Sequence, residues 1–522
     1  MESQPNADKT YNAKSSSPVE PPGIKEPPRA LGATLLRLGP GMIIAGSIVG
    51  SGELIATTKA GAEAGFCLLW LIILGCVIKV STQIEFGRHA ITWGQTPLKA
   101  LNSLPGPRLK VNWLLWYWTI MTMLVISQQG GIVGGVGQAL AISRPLTQHG
   151  RQYNRLQDEL VKAKVEQAVA RTRAPEGPDI GKLQEKIESL AMQIDQMTES
   201  KDAYLWAAVI AIVTSLLLFF GRYRLIQVIA TVLVAIFTVV TIITLVMLQM
   251  KPEWAVRGDE LAGGLSFRLP RAGEGLTGNP IATALAAFGI IGVGAAELIM
   301  YPYWCLEKGY AKFTGPRDGT AQWIARARGW LRVLQTDAWI SMVVYTFATM
   351  AFYLLGAAVL WRAALNPEKA DMIRTLSQMY VPVYGPWADG VFLAGAFAVL
   401  YSTFFVAAAG NARMTADAMG LFGLTDGSQA ARVRWTRNIC AVWPLLAAVL
   451  YALVRRPTAM VLACGTAQAI MLPMLGAAAL YFRYRRCDEN LRPGRVWDTM
   501  LWLSFTGFLI IGAWSIFSIR FK

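Results

Sequence analysis

Residues 49–55 read Val49-Gly50-Ser51-Gly52-Glu53-Leu54-Ile55, and residues 293–299 read Val293-Gly294-Ala295-Ala296-Glu297-Leu298-Ile299. Val, Gly, Glu, Leu and Ile coincide in place at a constant offset, so the two stretches read as copies of one short element. Each lies in a long apolar run and carries the only carboxylate of that run. A charge at membrane depth is costly and faces a polar pathway or a partner charge. Small residues precede each Glu, and the glycines among them weaken a helix and admit close backbone approach.

Outward from these copies the chain stays apolar. Of its 522 residues, 54% are hydrophobic and 16% charged, with a mean hydropathy of +0.39; a soluble chain carries about a quarter charged residues. Tyr204–Phe220 and Leu225–Met250 contain no charge at all, and runs of roughly 18 apolar residues suffice to span a bilayer. Eleven spans are expected, near 38–58, 66–86, 111–140, 203–220, 225–250, 280–306, 338–360, 385–409, 436–454, 458–482 and 500–519. The fold class is therefore an all-α polytopic membrane protein. The second copy lies five spans after the first, so the two cross the membrane in opposite directions: an inverted repeat.

The net charge of +16 does not point to nucleic acid, because Lys and Arg cluster between the apolar runs, where they set topology. The clusters at Arg88–Lys110, Arg222–Arg224, Lys308–Arg332, Arg413–Arg437 and Arg483–Arg495 outweigh those of the short alternate connections. This places the N-terminus in the cytoplasm, and an odd number of spans places the C-terminus outside. Spanning helices rather than barrel strands carry the hydrophobicity, which indicates a cell membrane, inner or plasma.

Four regions follow. Residues 1–35, rich in Pro, Ser, Asn, Lys and Glu, read as a disordered cytoplasmic tail, and residues 36–142 hold the first three spans. Residues 143–202 form a polar outer insertion, and residues 203–522 hold the remaining eight spans. Within the insertion, Leu183, Ile187, Leu190, Ile194 and Met197 make a helical seam, Leu156, Leu160 and Val165 lie on an earlier charged helix, and Ala174–Pro178 breaks the two apart. The expectation is a helical hairpin, either a passive solvated insertion or an arm that binds a protein partner. Gln322–Val333 alternates Trp323, Ile324, Trp330 and Leu331 with Arg326, Arg328 and Arg332, which reads as an amphipathic helix on the inner membrane surface.

The six cysteines form no CxxC pair and sit in or beside apolar segments, as small buried residues. The two histidines, His89 and His149, exclude a His-rich metal site. No nucleophile–base arrangement or phosphate-cradling loop is present, so neither an enzyme nor a bound cofactor is expected.

Inverted repeats with interrupted first helices build midplane sites in which freed carbonyls coordinate cations. Two carboxylates brought together there need a cation or a proton between them. Glu53 and Glu297, with backbone at Gly50 and Gly294, would bind a divalent metal cation, and Ser51 and Ala296 would line its path. The opposing reading gives each Glu a basic partner, for which Lys79 is the one residue at membrane depth.

The chain also resembles the Nramp family of divalent metal transporters, proteins of the LeuT-type fold. The likeness begins at Leu38-Gly39-Pro40-Gly41, continues through Lys59-Ala60-Gly61-Ala62-Glu63-Ala64-Gly65-Phe66 and Leu68-Leu69-Trp70, and extends through the eleven-span layout. The resemblance implies a 5+5 inverted repeat with helices 1 and 6 interrupted. The site departs from the family pattern. The first-helix motif Asp-Pro-Gly-Asn aligns with Gly50, Ser51, Gly52 and Glu53, and the sixth-helix Met-Pro-His aligns with Ala296, Glu297 and Leu298. The third-helix acidic residues align with Gly131 and Gly134; the tenth-helix Gln aligns with Gly465, with Gln468 three positions on. Loss of the thioether leaves oxygen donors, which suit Mg²⁺ or Mn²⁺, with Ca²⁺ also admissible.

A rival on the same fold is a cation-coupled carrier of an organic solute such as an amino acid, with Tyr301, Tyr303 and Trp304 near it. A third is a sensor acting through the outer hairpin. Asn411, with Arg413 and Asp417 at the inner end of the eighth span, could form a gate.

Overall fold

The computed structural model describes residues 23–35, 37, 39–41, 49–173, 178–221, 223–270 and 278–520. Most of the expected tail, the loop 174–177 and most of the first half of span 1 lie outside these residues. After a turn at Val49-Gly50 the first helix runs as a π-helix, Ser51–Thr57, into α1 (Thr58–Ala64). The second span is α2 (Leu69–Val77) continued by α3 (Lys79–Trp93), and the third is α4 (Trp113–Ser143). Helices α5 (Gln148–Arg173) and α6 (Pro178–Asp195) make the hairpin. Then come α7 (Asp202–Phe219) and α8 (Tyr223–Leu248). The sixth span is two helices, α9 (Pro280–Ile290) and α10 (Ala295–Lys308). Five long helices finish the chain: α11 (Ala321–Leu355), α12 (Ala388–Leu421), α13 (Gln429–Val454), α14 (Pro457–Tyr481) and α15 (Arg495–Arg520).

Among the described residues nine helices are long and apolar enough to cross a membrane, and Val232–Leu248 of α8 is a shorter apolar stretch. With the interrupted first helix these make the eleven-span layout. The only strand pairing among the described residues is a two-residue antiparallel ladder, Arg108–Leu109 with Val111–Asn112. Burial divides the helices by role. The most apolar window of the sixth span is 94% buried, whereas that of α13 is 28% buried. On α13, Val433, Val442, Leu446, Val449 and Leu453 are exposed, as suits side chains facing lipid tails instead of water.

Two expectations need correction. Gln322–Val333 is not a surface helix: it is the N-terminal end of the continuous α11, where Trp323 and Trp330 are fully buried and Arg326 nearly so. The reason lies in residues 23–29, which were assigned to the tail. Lys25 N–H donates to the Phe313 carbonyl at 3.1 Å, and Trp330 Nε1 donates to the Lys25 carbonyl at 3.0 Å. A Cβ on Gly329 would meet Pro27. This strap covers the Trp face that would otherwise need lipid.

The hairpin is fastened to the spans at its base. Its seam is its least exposed face, with Leu190 buried and Leu183, Ile187, Ile194 and Met197 partly so. Arg374 pairs with Asp158 and donates to Asn154 Oδ1 at 2.8 Å, while Asp202 accepts from Leu146 N at 2.8 Å and from Thr147 Oγ1 at 2.9 Å.

The Gly-Pro-Gly entry of span 1 is held by a side chain from span 7. Gly39 N–H donates to Asp337 Oδ1 at 3.1 Å and Gly41 N–H to Oδ2 at 2.5 Å; Tyr301 hydroxyl also donates to Oδ2, at 3.2 Å. The first N–H groups of a helix have no intrahelical acceptor, and a fully buried carboxylate supplies one here. Asp337→Ala orphans three donors and is expected to cost about 3 kcal/mol, read as a lowered thermal midpoint in detergent. Asp337→Asn, which keeps one acceptor, is expected to lose less. Equal midpoints for Asp337→Ala and the wild type would show that the entry is held elsewhere.

Candidate ion site at the two helix breaks

The sixth-span break is set by local backbone. Asn279 caps α9, accepting from Ala282 N–H at 3.2 Å, and Pro280 stands in the first turn, where its missing N–H costs nothing. The helix stops at Ile291, which is extended, and Gly292 follows with φ +57°. A side chain there would be strained and would meet the Cα of Cys76. Gly294 is extended again, and α10 starts at Ala295.

The first helix instead widens. Its π-turn leaves carbonyls that hydroxyls take up: Thr57 Oγ1 donates to Gly52 O at 2.9 Å and Thr58 Oγ1 to Glu53 O at 3.3 Å. Such wide turns concentrate at functional sites.

Glu53 is fully buried, and both of its carboxylate oxygens have donors. Its Oε1 accepts from Gly292 N–H at 3.3 Å and from Thr349 hydroxyl on α11 at 3.2 Å; its Oε2 accepts from Gly50 N–H at 3.4 Å. The carboxylate of the first repeat therefore ties together the two breaks and the seventh span. Glu297 is in the opposite condition. Its Oε2 is buried and has no hydrogen-bond partner among the described residues.

Glu297 belongs to the wall of a small cavity lined also by Ser51, Gly52, Gln128, Gln129, Ala296, Thr403 and Asn411, with Val125, Ile132, Ile290 and Ala407 as apolar walls. It leaves room for about one water-sized occupant. Gln129 Oε1, on the same wall, is buried and likewise unpartnered among the described residues. Gln468 on α14 joins the set through hydrogen bonds: its Oε1 accepts from Ala296 N–H at 2.9 Å, and its Nε2 donates to Gln128 Oε1 at 3.2 Å. Gln128 Nε2 in turn donates to Ser51 Oγ at 3.2 Å.

Of the residues expected at the site, Glu297, Ser51, Ala296 and Asn411 line the cavity, and Gln468 braces it. A Cβ on Gly294 would come 2.5 Å from Glu297 Oε2, so the carboxylate lies over that backbone. Gly50 abuts Thr403. Glu53 is outside the cavity lining and turns toward Gly292 and Thr349. Lys79 makes no ion pair with either Glu among the described residues; its ammonium donates to the carbonyls of Phe288 and, at 2.8 Å, Ile291. Sequence reasoning missed Gln128, Gln129, Thr349 and Gly292. The first two flank the glycines of α4 and could have been found as paired amides in an apolar run; the others carry no sequence signal.

The aromatic residues after the break lie elsewhere. Tyr301 donates to Asp337, Tyr303 donates to Asp417 at 2.5 Å, and Trp304 lies under the Arg413 guanidinium, 4.7 Å from its ring centre. Arg413 also pairs with Glu307 at 2.5 Å, and Arg432 with Asp417 at 3.6 Å. These contacts link the C-terminal ends of α10 and α12 to the start of α13. His89 stacks between Trp93 and Phe482, and His149 bonds the Thr198 carbonyl, both away from the cavity. Four of the six free cysteines are buried.

An eleven-span helical protein whose first and sixth spans are interrupted beside one cavity has the LeuT-type transporter fold. The natural resistance-associated macrophage protein-like (Nramp) family model matches residues 187–518, more than half of the chain, and the chain belongs to this family, one of membrane transporters and not of enzymes. A comparison with curated proteins finds no match. Among solved structures, the manganese transporter of Eremococcus coleocola, in complex with an aromatic bis-isothiourea substituted compound, aligns with a TM-score of 0.55 at 14% identity, covering 95% of this chain and 89% of that one. A mutant of the same transporter aligns at 0.54 with 15% identity, over 95% and 89% of the two chains. At such identities the likeness is one of fold.

Proposed function

We propose that the protein is a secondary transporter for a divalent metal cation, Mg²⁺ or Mn²⁺, held at the junction of the two helix breaks. The observation that carries this reading is the pair of unpartnered buried oxygens, Glu297 Oε2 and Gln129 Oε1, on one small cavity. A buried carboxylate oxygen without a donor is expensive, and a cation supplies the missing partner. The polar lining consists of Ser, Thr, Asn, Gln and Glu side chains, with neither sulfur nor imidazole. Hard cations prefer such oxygen sets. Membership of a metal-transport family and the fold shared with a manganese transporter support the same class of cargo.

The two glutamates divide the work in this proposal. Glu297 is the charged ligand; Gln129, Ser51 and Asn411 supply neutral oxygens. Glu53 adds negative charge and fastens the breaks that shape the cavity. An organic-solute carrier fits less well, because the cavity has no room for an amino acid and Tyr301, Tyr303 and Trp304 do not line it. We also assign the chain to a cell membrane, with its N-terminus cytoplasmic, its C-terminus outside and the hairpin on the outer face, on the charge asymmetry of the connections.

The test is uptake into proteoliposomes of purified protein, with Mg²⁺, Mn²⁺ and Ca²⁺ offered in turn. Saturable uptake of Mg²⁺ or Mn²⁺ ahead of Ca²⁺ is expected, since the small cavity disfavours the larger ion. Folded protein that moves none of the three would sink the proposal and leave the organic-solute carrier.

A further inference from the structure

Lys79 opens α3 in the middle of the second span, and its side chain is fully buried. In an unbroken sixth helix, Gly292 N–H would donate to the Phe288 carbonyl. Here the two groups are parted: Gly292 N–H donates to Glu53, and the Phe288 carbonyl accepts from Lys79. The ammonium also takes the Ile291 carbonyl at 2.8 Å and lies 4.8 Å from the centre of the Phe288 ring. The two carbonyls it bonds lie at the C-terminal end of α9, where the helix dipole is negative, and the ring beside it presents an aromatic face, so all three offer negative potential. Freed carbonyls at such a break are the groups that coordinate monovalent cations in this class of architecture.

We propose that the Lys79 ammonium is a resident cation in a monovalent-cation site at the sixth-span break, so that the site accepts a free alkali or ammonium ion once that side chain is removed. An ammonium group and K⁺ have nearly the same radius, so K⁺, NH₄⁺ and methylammonium are the ions that fit. The inference does not depend on which cargo the transporter carries.

The experiment is thermal unfolding of detergent-purified wild type, Lys79→Ala and Lys79→Met at constant ionic strength, with N-methyl-D-glucamine, K⁺, NH₄⁺ or methylammonium as the cation. The wild-type midpoint is expected to be the same in all four. Lys79→Ala, which vacates the site, is expected to melt lower in N-methyl-D-glucamine and to regain at least half of that loss in K⁺, NH₄⁺ or methylammonium. Lys79→Met, whose neutral chain fills the space, is expected to melt low in every salt. A Lys79→Ala midpoint equal to wild type, or one that no cation raises, overturns the proposal, as does failure of Lys79→Ala to fold in every salt. A wild-type midpoint that itself needs K⁺ overturns it too.

Discussion

Glu297→Gln is expected to lower divalent-cation uptake by on the order of 100-fold while leaving the protein as stable as the wild type or more so. Both halves follow from the same atom. Gln has nearly the shape of Glu, so the packing over Gly294 is kept. The substitution replaces a carboxylate, one of whose oxygens is buried with no donor among the described residues, by a neutral amide, and a neutral polar group costs less to bury than a charge. It also removes the one negative charge on the cavity wall, and losing about 3 kcal/mol of differential interaction with a dication corresponds to roughly two orders of magnitude. Glu53→Gln is the contrasting case, because that carboxylate accepts from Gly50, Gly292 and Thr349. It should lose thermal stability together with uptake. Uptake and melting, measured side by side on the two variants, separate a ligand from a fastener. A Glu297→Gln protein that transports normally would remove Glu297 from the ion's path, whatever its stability.

The sequence carried the position of both breaks, because a repeated Gly-to-Glu element in two apolar runs is a one-dimensional pattern. It did not carry the division of labour between the copies. Glu53 and Glu297 sit in matching heptapeptides, yet one accepts from a backbone N–H and a hydroxyl of distant spans, and the other keeps a buried oxygen with no partner among the described residues. Nothing within seven residues of either Glu encodes that difference. The opposing reading makes Lys79 a counter-ion, as the one basic side chain at membrane depth; the structure instead connects it to Glu53 through the backbone of Phe288–Gly292. Periodicity also misplaced Gln322–Val333, since an alternation of Trp and Arg looks the same whether lipid or a strap covers the Trp face. Gln468 and Gly465 were rivals for one aligned position. The first bonds the start of α10, and the second packs on α9.

That last contact yields the prediction with the largest structural effect. A Cβ on Gly289 would come 1.9 Å from the Gly465 carbonyl oxygen and 2.8 Å from Ala469 N; one on Gly465 would come 2.3 Å from the Ala286 carbonyl. Each obstacle is backbone, so no rotamer change clears it, and α9 and α14 must separate by about an ångström. Overpacking in a core costs about 1–3 kcal/mol when side chains can yield, and this pair cannot yield in that way. Gly289→Ala is therefore expected to cost more than about 3 kcal/mol and to give mostly aggregated protein on size-exclusion chromatography. Gly390→Ala in α12, where nothing lies within 4 Å, is the matched control. It should be neutral or raise stability by up to about 1 kcal/mol, as for glycine replaced by alanine in a helix. Without an aqueous phase between them, membrane helices gain by approaching on small residues and satisfying each other's van der Waals surface. Here the approach also carries Gln468 to Ala296. Any Gly289→Ala protein that survives purification should therefore show weakened uptake along with its lowered midpoint. A variant that elutes as a single species and melts with the wild type would mean that the sixth and tenth spans are not packed backbone to backbone, and the brace on the cavity would fall with them.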